Sequence, residues 1–377
     1  MNSTAGIVFS NLNDNTLSRL TEDRTVAAIP FACRYRLVDF GLSNMVNANI
    51  SNISIVTNYN YRSLTNHIGS GKDWDLARRS GGINIVSPFQ YISGSGAKMY
   101  SGHLDALKSM SDFISSLKED NVVLADCDTI FNIDLKDVIE RHEATDADMT
   151  VITSKCKDTW TSQTSRLLVK SDDNSRIIDL VMGNRYNDRN PEVSLNVYVM
   201  RTSYLRRILQ ESMARNYSGL TRDVMLREYR SAKYFTYCYD GYNAFVSSFR
   251  DYYNYSIELT VNETARNSLF GVRERPIYTN VHNSNPAVYR DGASVKNSLI
   301  ADGCIIEGTV ENSILFRNVR VSKGAVVKNS IIFNGGIIGE NASINCVVSD
   351  KDVVICDNRI LSGHYTMPFF IEKHKRV

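Results

Sequence analysis

The 377-residue sequence has no apolar run approaching the ~20 residues that a membrane-spanning helix needs, so no membrane contact is expected. Its start, Met1-Asn2-Ser3-Thr4, carries neither a basic segment nor a long apolar stretch, and no secretory signal is expected. A surplus of one charge is missing too. The 43 Lys and Arg face 41 Asp and Glu, which leaves no general field for nucleic acid or anionic lipid. The seven cysteines, Cys33, Cys127, Cys156, Cys238, Cys304, Cys346 and Cys356, are odd in number and scattered, and they never form a Cys-x-x-Cys pair. That argues against a disulfide framework or zinc site and for free thiols in a reducing cytoplasm.

What is present fits a globular protein, with 43% hydrophobic and 22% charged residues. The length exceeds one ordinary domain of roughly 100–200 residues, which predicts two. Over residues 1–258, short apolar runs alternate with amphipathic stretches. Ala5–Ser10, Ile53–Thr57, Ile83–Ser87 and Val122–Ala125 read as strands, and Val38–Asn49, Tyr61–Ile68 and Leu104–Leu117 as helices. The alternation predicts an α/β domain with a mostly parallel, Rossmann-like sheet covered on both faces. Ligands of such sheets sit beyond the carboxyl ends of the strands.

After a linker at 259–286 the pattern changes. Asn297-Ser298-Leu299-Ile300 is echoed by Asn312-Ser313-Ile314-Leu315, by Asn329-Ser330-Ile331-Ile332, and loosely by Asn345-Cys346-Val347-Val348. Proline is missing from Ala287 to Tyr365, and helical periodicity is almost gone. Short apolar pairs broken by Gly or Asp fill the gaps. Residues 287–377 therefore read as a β-helix followed by a small basic tail, Glu372–Val377.

The stretch Arg34-Tyr35-Arg36-Leu37-Val38-Asp39-Phe40-Gly41-Leu42-Ser43-Asn44 resembles a segment of the glucose-1-phosphate adenylyltransferase (ADP-glucose pyrophosphorylase) family. That segment runs Gly-Gly-Lys-(Tyr/Phe)-Arg-Ile-Ile-Asp-Phe-x-Leu-Ser-Asn. Thr57-Asn58-Tyr59 with Leu64 and His67-Ile68, Tyr100-Ser101-Gly102-His103-Leu104-Asp105-Ala106, and Pro276-Ile277 with Thr279, Pro286 and Ala287 agree with later family segments in order. The resemblance covers nearly the whole chain. It implies that the β-helix is left-handed, and that the family reaction joins ATP and glucose 1-phosphate into ADP-glucose and pyrophosphate for glycogen synthesis. That reaction is an in-line displacement at the α-phosphate, with Mg²⁺ held by two aspartates.

Departures from the family pattern cluster where the chemistry lies. The family's Leu-Ala-Gly-Gly-Arg-Gly-Thr-Arg-Leu becomes Phe9-Ser10-Asn11-Leu12-Asn13-Asp14-Asn15-Thr16-Leu17. The glycines that admit phosphates to backbone N–H groups, and both arginines, are gone at positions such as Asn11, Asn13 and Thr16. Val26 stands for a phosphate-binding lysine and Gly183 for the lysine that holds the sugar phosphate. Asp128 fills the place of the first metal aspartate, but Phe245 stands at the second.

The resemblance therefore implies no catalytic residues here and a vestigial metal position at Asp128, which a strand-end turn also explains. It is similar to the GlgD-type regulatory subunits. These need no cofactor themselves, join a homologous catalytic subunit that uses Mg²⁺ in a heterotetramer, and raise its activity. Alone, such a chain is expected to form homo-oligomers.

Arg24, Arg34 and Arg36 are candidates for a phosphorylated effector, with structural pairing of Arg36 to Asp39 left open. Gly102 and Asp105 match a nucleotide-contacting stretch but also suit a turn and a helix first turn. His103 reads as a surface or helix-start residue. Gly69-Ser70-Gly71-Lys72 fails as a phosphate loop, because position 66 is Asn and Asp73 replaces Ser/Thr. The tyrosines from Tyr234 to Tyr255 read as packing ahead of base stacking. Two rivals are an active nucleotidyltransferase in its own right and a β-helix acyltransferase. The latter is disfavoured, because His282 and His364 flank the coils.

Overall fold

Four apolar runs, three of them largely buried, set up the first sheet. In the computed structural model they form β1 Thr4–Phe9, β2 Asn52–Val56, β3 Gly82–Val86 and β4 Asn121–Asp126. These are parallel neighbours in the order β4-β1-β2-β3. The structure describes residues 3–10, 17–57, 59–79, 81–86, 90–92, 96–98, 100, 102–155, 161–185 and 191–377.

Helices α1 Leu37–Asn47, α2 Arg62–Ile68, α3 His103–Ser109, α4 Ser111–Ser116, α5 Leu135–Ala144 and α6 Thr202–Arg215 cover the sheet. Leu104, Leu107, Ile114, Leu205 and Ile208 are buried on one face. Leu42, Met45, Leu64, Val138 and Ile139 are buried on the other. Leu104–Leu117 reads as one helix in the sequence but breaks at Met110. There the Ser109 hydroxyl donates to the Ala106 carbonyl at 2.6 Å, a local bond that competes with the helical ladder.

The other half of this nine-stranded sheet makes it mixed. β5 Thr129–Phe131 leaves the sheet, and β6 Met149–Lys155, β7 Thr161–Ser171, β8 Ile177–Arg185, β9 Glu192–Arg201 and β10 Tyr234–Cys238 follow. β9 runs antiparallel to β4, β6 and β7, and β7 pairs antiparallel with β8. β11 Asn243–Phe245 pairs only with β5 among the described strands. Helices α7 Phe249–Val261 and α8 Glu263–Phe270 lead to the linker.

From Val288 the chain winds into three five-stranded parallel sheets, the left-handed β-helix. Ile306, Val310, Leu315, Val321, Val327, Ile332 and Ile338 fill its axis. The Asn-Ser echo has a mechanical cause. Asn297, Asn312 and Asn329 take the left-handed φ that turns each corner, a conformation Asn tolerates well. Their amides form a ladder, Asn297 to Asn312, Asn312 to Asn329 and Asn329 to Asn345. The serines form a second ladder, in which Ser298, Ser313 and Ser330 each accept from the backbone of the next coil.

At the fourth echo the register differs from the sequence alignment by one residue. Ile331 pairs with Val348, so Cys346 occupies the left-handed corner and Asn345 precedes it.

The two domains share a buried seam. Leu17, Leu20, Val26, Ile29, Phe31, Tyr252 and Tyr253 pack against Ile314, Phe316, Ile331 and Phe333 of the coil. The Tyr253 hydroxyl donates to the Asn329 carbonyl at 2.6 Å. The tyrosine-rich stretch is thus spent on packing: Tyr252 bonds Pro30, Tyr239 bonds Asn132, and Tyr234 meets Tyr204. Among the described residues, no helix is long and apolar enough to cross a membrane. The six described cysteines are free thiols; Cys156 lies outside the described residues.

Candidate functional site

The segment that carries the resemblance acts mainly as a brace. The Asp39 carboxylate accepts from the Arg36 backbone N–H at 2.9 Å and meets His67 Nε2 at 2.6 Å. The Arg36 guanidinium reaches Ser63 instead, so the pairing of Arg36 with Asp39 runs through its backbone. Ser43 accepts from Tyr278 in the linker. Asn44 bonds the Phe131 carbonyl and the Ile133 N–H, which fixes the end of β5. Ala32 and Cys33, just before Arg34, have φ of +45° and +62°, where the family segment has glycines.

β4 ends at Asp126, and the chain crosses Asp128 into β5. Pairing of β5 with β11 sets Phe245 opposite Thr129, and the Val246 N–H donates to the Asp128 carbonyl at 2.8 Å. The fold therefore makes neighbours of Asp128 and Phe245. Asp128 is buried, and its oxygens accept from the Asn196 amide at 3.2 and 3.4 Å and from Thr129.

Phe245 offers a ring where a carboxylate is expected. The guanidinium of Arg166 sits 3.6 Å from that ring's centroid and donates to the Ser194 carbonyl. Arg166 and Gly183 are directly paired across β7 and β8, so their side-chain directions share one face of the sheet. One carboxylate beside an amide donor, an aromatic ring and a guanidinium does not match the oxygen shell of Mg²⁺.

Around this spot the remaining sequence candidates fall as follows. His103 opens α3, and its Nε2 lies 2.9 Å from Asp126. Burial opposes its charged form, yet the Asp126 carboxylate outweighs burial and raises its pKa. Gly102 precedes α3 with no room for a side chain, since a Cβ would lie 2.6 Å from the Ser218 carbonyl. Asp105 pairs with Lys108 in the first turn of α3. Val26, where the family resemblance implies a lysine, is packed into the seam. Asn11, Asn13 and Thr16 lie outside the described residues.

The effector candidates separate. Arg24 is buried in an ion pair with Asp350 of the coil, in which one terminal nitrogen donates to both carboxylate oxygens at 2.7 and 2.8 Å. Its other terminal nitrogen has no hydrogen-bond partner among the described residues. Lys351 lies beside this pair; burial, then the like charge of Arg36 and Arg24, pulls its pKa down to about 8. Arg34 is exposed. A groove of about 510 Å³ runs between the short helix Ser18–Thr21 and the last coil, lined by Arg19, Glu22, Met367, Phe369 and Glu372.

Arg166 and Asn196 were not read from the sequence. Arg166 looks like the polar start of an apolar strand, and Asn196 like an ordinary strand polar residue. The pairing of β7 with β9 and the bend of β9, where Asn196 takes φ +57°, bring them toward Phe245 and Asp128.

Two family profiles match the chain: "Nucleotidyl transferase" over residues 15–218 and "GlmU-like, C-terminal hexapeptide" over residues 284–363. The glycogen biosynthesis protein GlgD of Bacillus subtilis (strain 168) is 32% identical over 376 residues, spanning 99% of this chain and 96% of that protein. The glucose-1-phosphate adenylyltransferases of Bacillus thuringiensis (strain Al Hakam) and Bacillus anthracis are each 30% identical over 349 residues, spanning 92% of this chain and 91% of theirs. The chain belongs to the glucose-1-phosphate adenylyltransferase family of nucleotidyl transferases and is of the GlgD type.

Proposed function

We propose that this protein is a regulatory, catalytically impaired subunit of a glucose-1-phosphate adenylyltransferase that serves glycogen biosynthesis in the cytoplasm. It assembles with a homologous catalytic subunit in a heterotetramer and raises that partner's activity. The observation that carries the reading is Phe245 standing beside Asp128. Removing one preorganised charge-stabilising group costs about 10²–10³ in rate, and lysine positions 26 and 183 are lost as well. Mg²⁺ then belongs to the partner, and this subunit needs no cofactor of its own.

Support for assembly comes from the last coil, where Ile360, Tyr365, Met367 and Phe369 are exposed apolar residues. Regulation by a phosphorylated effector is part of the same proposal. Arg24 pairs with Asp350 and Lys351 follows it in the chain, so an anion entering there competes with that carboxylate for Arg24. Activation requires this subunit to prefer the active state of its partner by a differential affinity.

The test is ADP-glucose synthesis from ATP and glucose 1-phosphate by this chain alone, by a catalytic homologue alone, and by a co-purified mixture. The expected result is no turnover alone and raised turnover in the mixture. Robust turnover alone supports the alternative, an active nucleotidyltransferase in its own right. Unchanged turnover in a mixture that elutes as one species removes the regulatory part.

A further inference from the structure

We infer that the guanidinium of Arg166 has taken the place of the divalent metal beside Asp128, so that this pocket is closed to Mg²⁺. The inference deepens the reading of Phe245 as a lost metal ligand and rests on it. Loss of a ligand alone leaves a weak site that one restored carboxylate would mend. The geometry here is different, because a cation is already built in. Arg166 is buried against the face of Phe245 at 3.6 Å, and its amino group is fixed on the Ser194 carbonyl. Two residues further along the same strand, Asn196 holds the Asp128 carboxylate with its amide. A single short stretch of β9 therefore fixes both the cation and the remaining carboxylate.

Each of these contacts works against a metal ion. The aromatic face attracts a guanidinium and offers no lone pair. The Asn196 amide donates to the oxygens that a metal would need. The fixed positive charge repels a second cation in a poorly solvated pocket, where such repulsion is strong. The strand pairing also sets Arg166 opposite Gly183, the vacated position of the sugar-phosphate lysine. One guanidinium thus stands where the family fold uses a metal ion and an ammonium.

The experiment titrates Mn²⁺ alone into the full chain and follows free Mn²⁺ by electron paramagnetic resonance. It compares wild type, Phe245→Asp, and Phe245→Asp combined with Arg166→Leu. Wild type and Phe245→Asp are expected to bind at background level, because Arg166 neutralises the new carboxylate. The double variant is expected to bind about tenfold tighter or more. Equal binding by Phe245→Asp and the double variant would overturn the inference. So would a single Mn²⁺ site in wild type that Asp128→Ala removes, a measurement that needs no restored site. Should the Leu variant not fold, Arg166→Gln takes its place with the same expectations. Turnover is not read here, so failure of this inference and failure of the regulatory reading give separate results.

Discussion

Two buried arginines show how differently two parts of this molecule are built. At the seam, one terminal nitrogen of Arg24 meets both oxygens of Asp350 from the other domain, and the guanidinium lies 5.7 Å from the centroid of the Phe333 ring. In the pocket at the end of β4, Arg166 meets an aromatic ring and a backbone carbonyl. The seam pair joins residues 326 positions apart and fixes one domain on the other. The pocket pair sits beside Asp128, where the family resemblance implies a metal ion. Side chains that hold the domains together keep charged partners, while at Phe245 a packing ring stands where the family resemblance implies a carboxylate. Geometry and chemistry in one fold respond to different constraints, and one can decay while the other persists.

That contrast can be broken first at the seam. Arg24→Ala leaves Asp350 buried without its ion-pair partner, and a loss of about 3–5 kcal/mol is expected in chemical denaturation. Replacing both partners, Arg24→Met with Asp350→Leu, should recover most of it, since a buried ion pair exchanged for apolar groups is often close to neutral. A full loss in the double variant would mean that the seam depends on charge and not on packing.

A pH experiment probes the same place. The Lys351 ammonium has an ordinary pKa of 10.5, pulled down to about 8 in the folded protein by burial and by Arg36 and Arg24. Between these values the unfolded chain holds more protons than the folded one, so this group makes stability rise with pH from about 8 to 10.5. The gain is at most about 3 kcal/mol. Melting temperatures of wild type and Lys351→Met across that window check it. Parallel slopes would show that Lys351 is not the source.

Smaller changes sharpen the picture. Tyr253→Phe removes the hydrogen bond to Asn329 and should cost about 1 kcal/mol while leaving the coil intact. Ala32→Gly relieves a left-handed backbone and should stabilise by about 0.5–1 kcal/mol, read as a rise in melting temperature. A destabilised Ala32→Gly would mean that the buried methyl group outweighs the relaxed φ.

Much of the fold was legible because its signals are local. The parallel half of the sheet follows from apolar runs separated by amphipathic stretches. The β-helix follows from Asn-Ser pairs that recur once per coil and build two hydrogen-bond ladders. The one-residue slip at Cys346 was not legible, because Asn345 still joins the ladder while the corner passes to its neighbour. The break at Met110 escaped the periodicity for a similar reason, since a side-chain bond from Ser109 interrupts an unbroken apolar stripe. Of the candidate site, Asp128 and Phe245 were placed by resemblance, and their adjacency came from β5 and β11.

By itself, the sequence determined that the chain has two architectures, that glycines and arginines are missing after β1, and that an aromatic residue stands where the family resemblance implies a carboxylate. Those are properties of residue type and near-neighbour spacing, which a chain carries before it folds. Only the tertiary structure decided that Arg166 lies on Phe245, that Asn196 holds Asp128 and that Arg24 is taken by Asp350. Each of those contacts joins segments far apart in the chain. Partner choice there depends on strand register and domain docking, which no local pattern encodes.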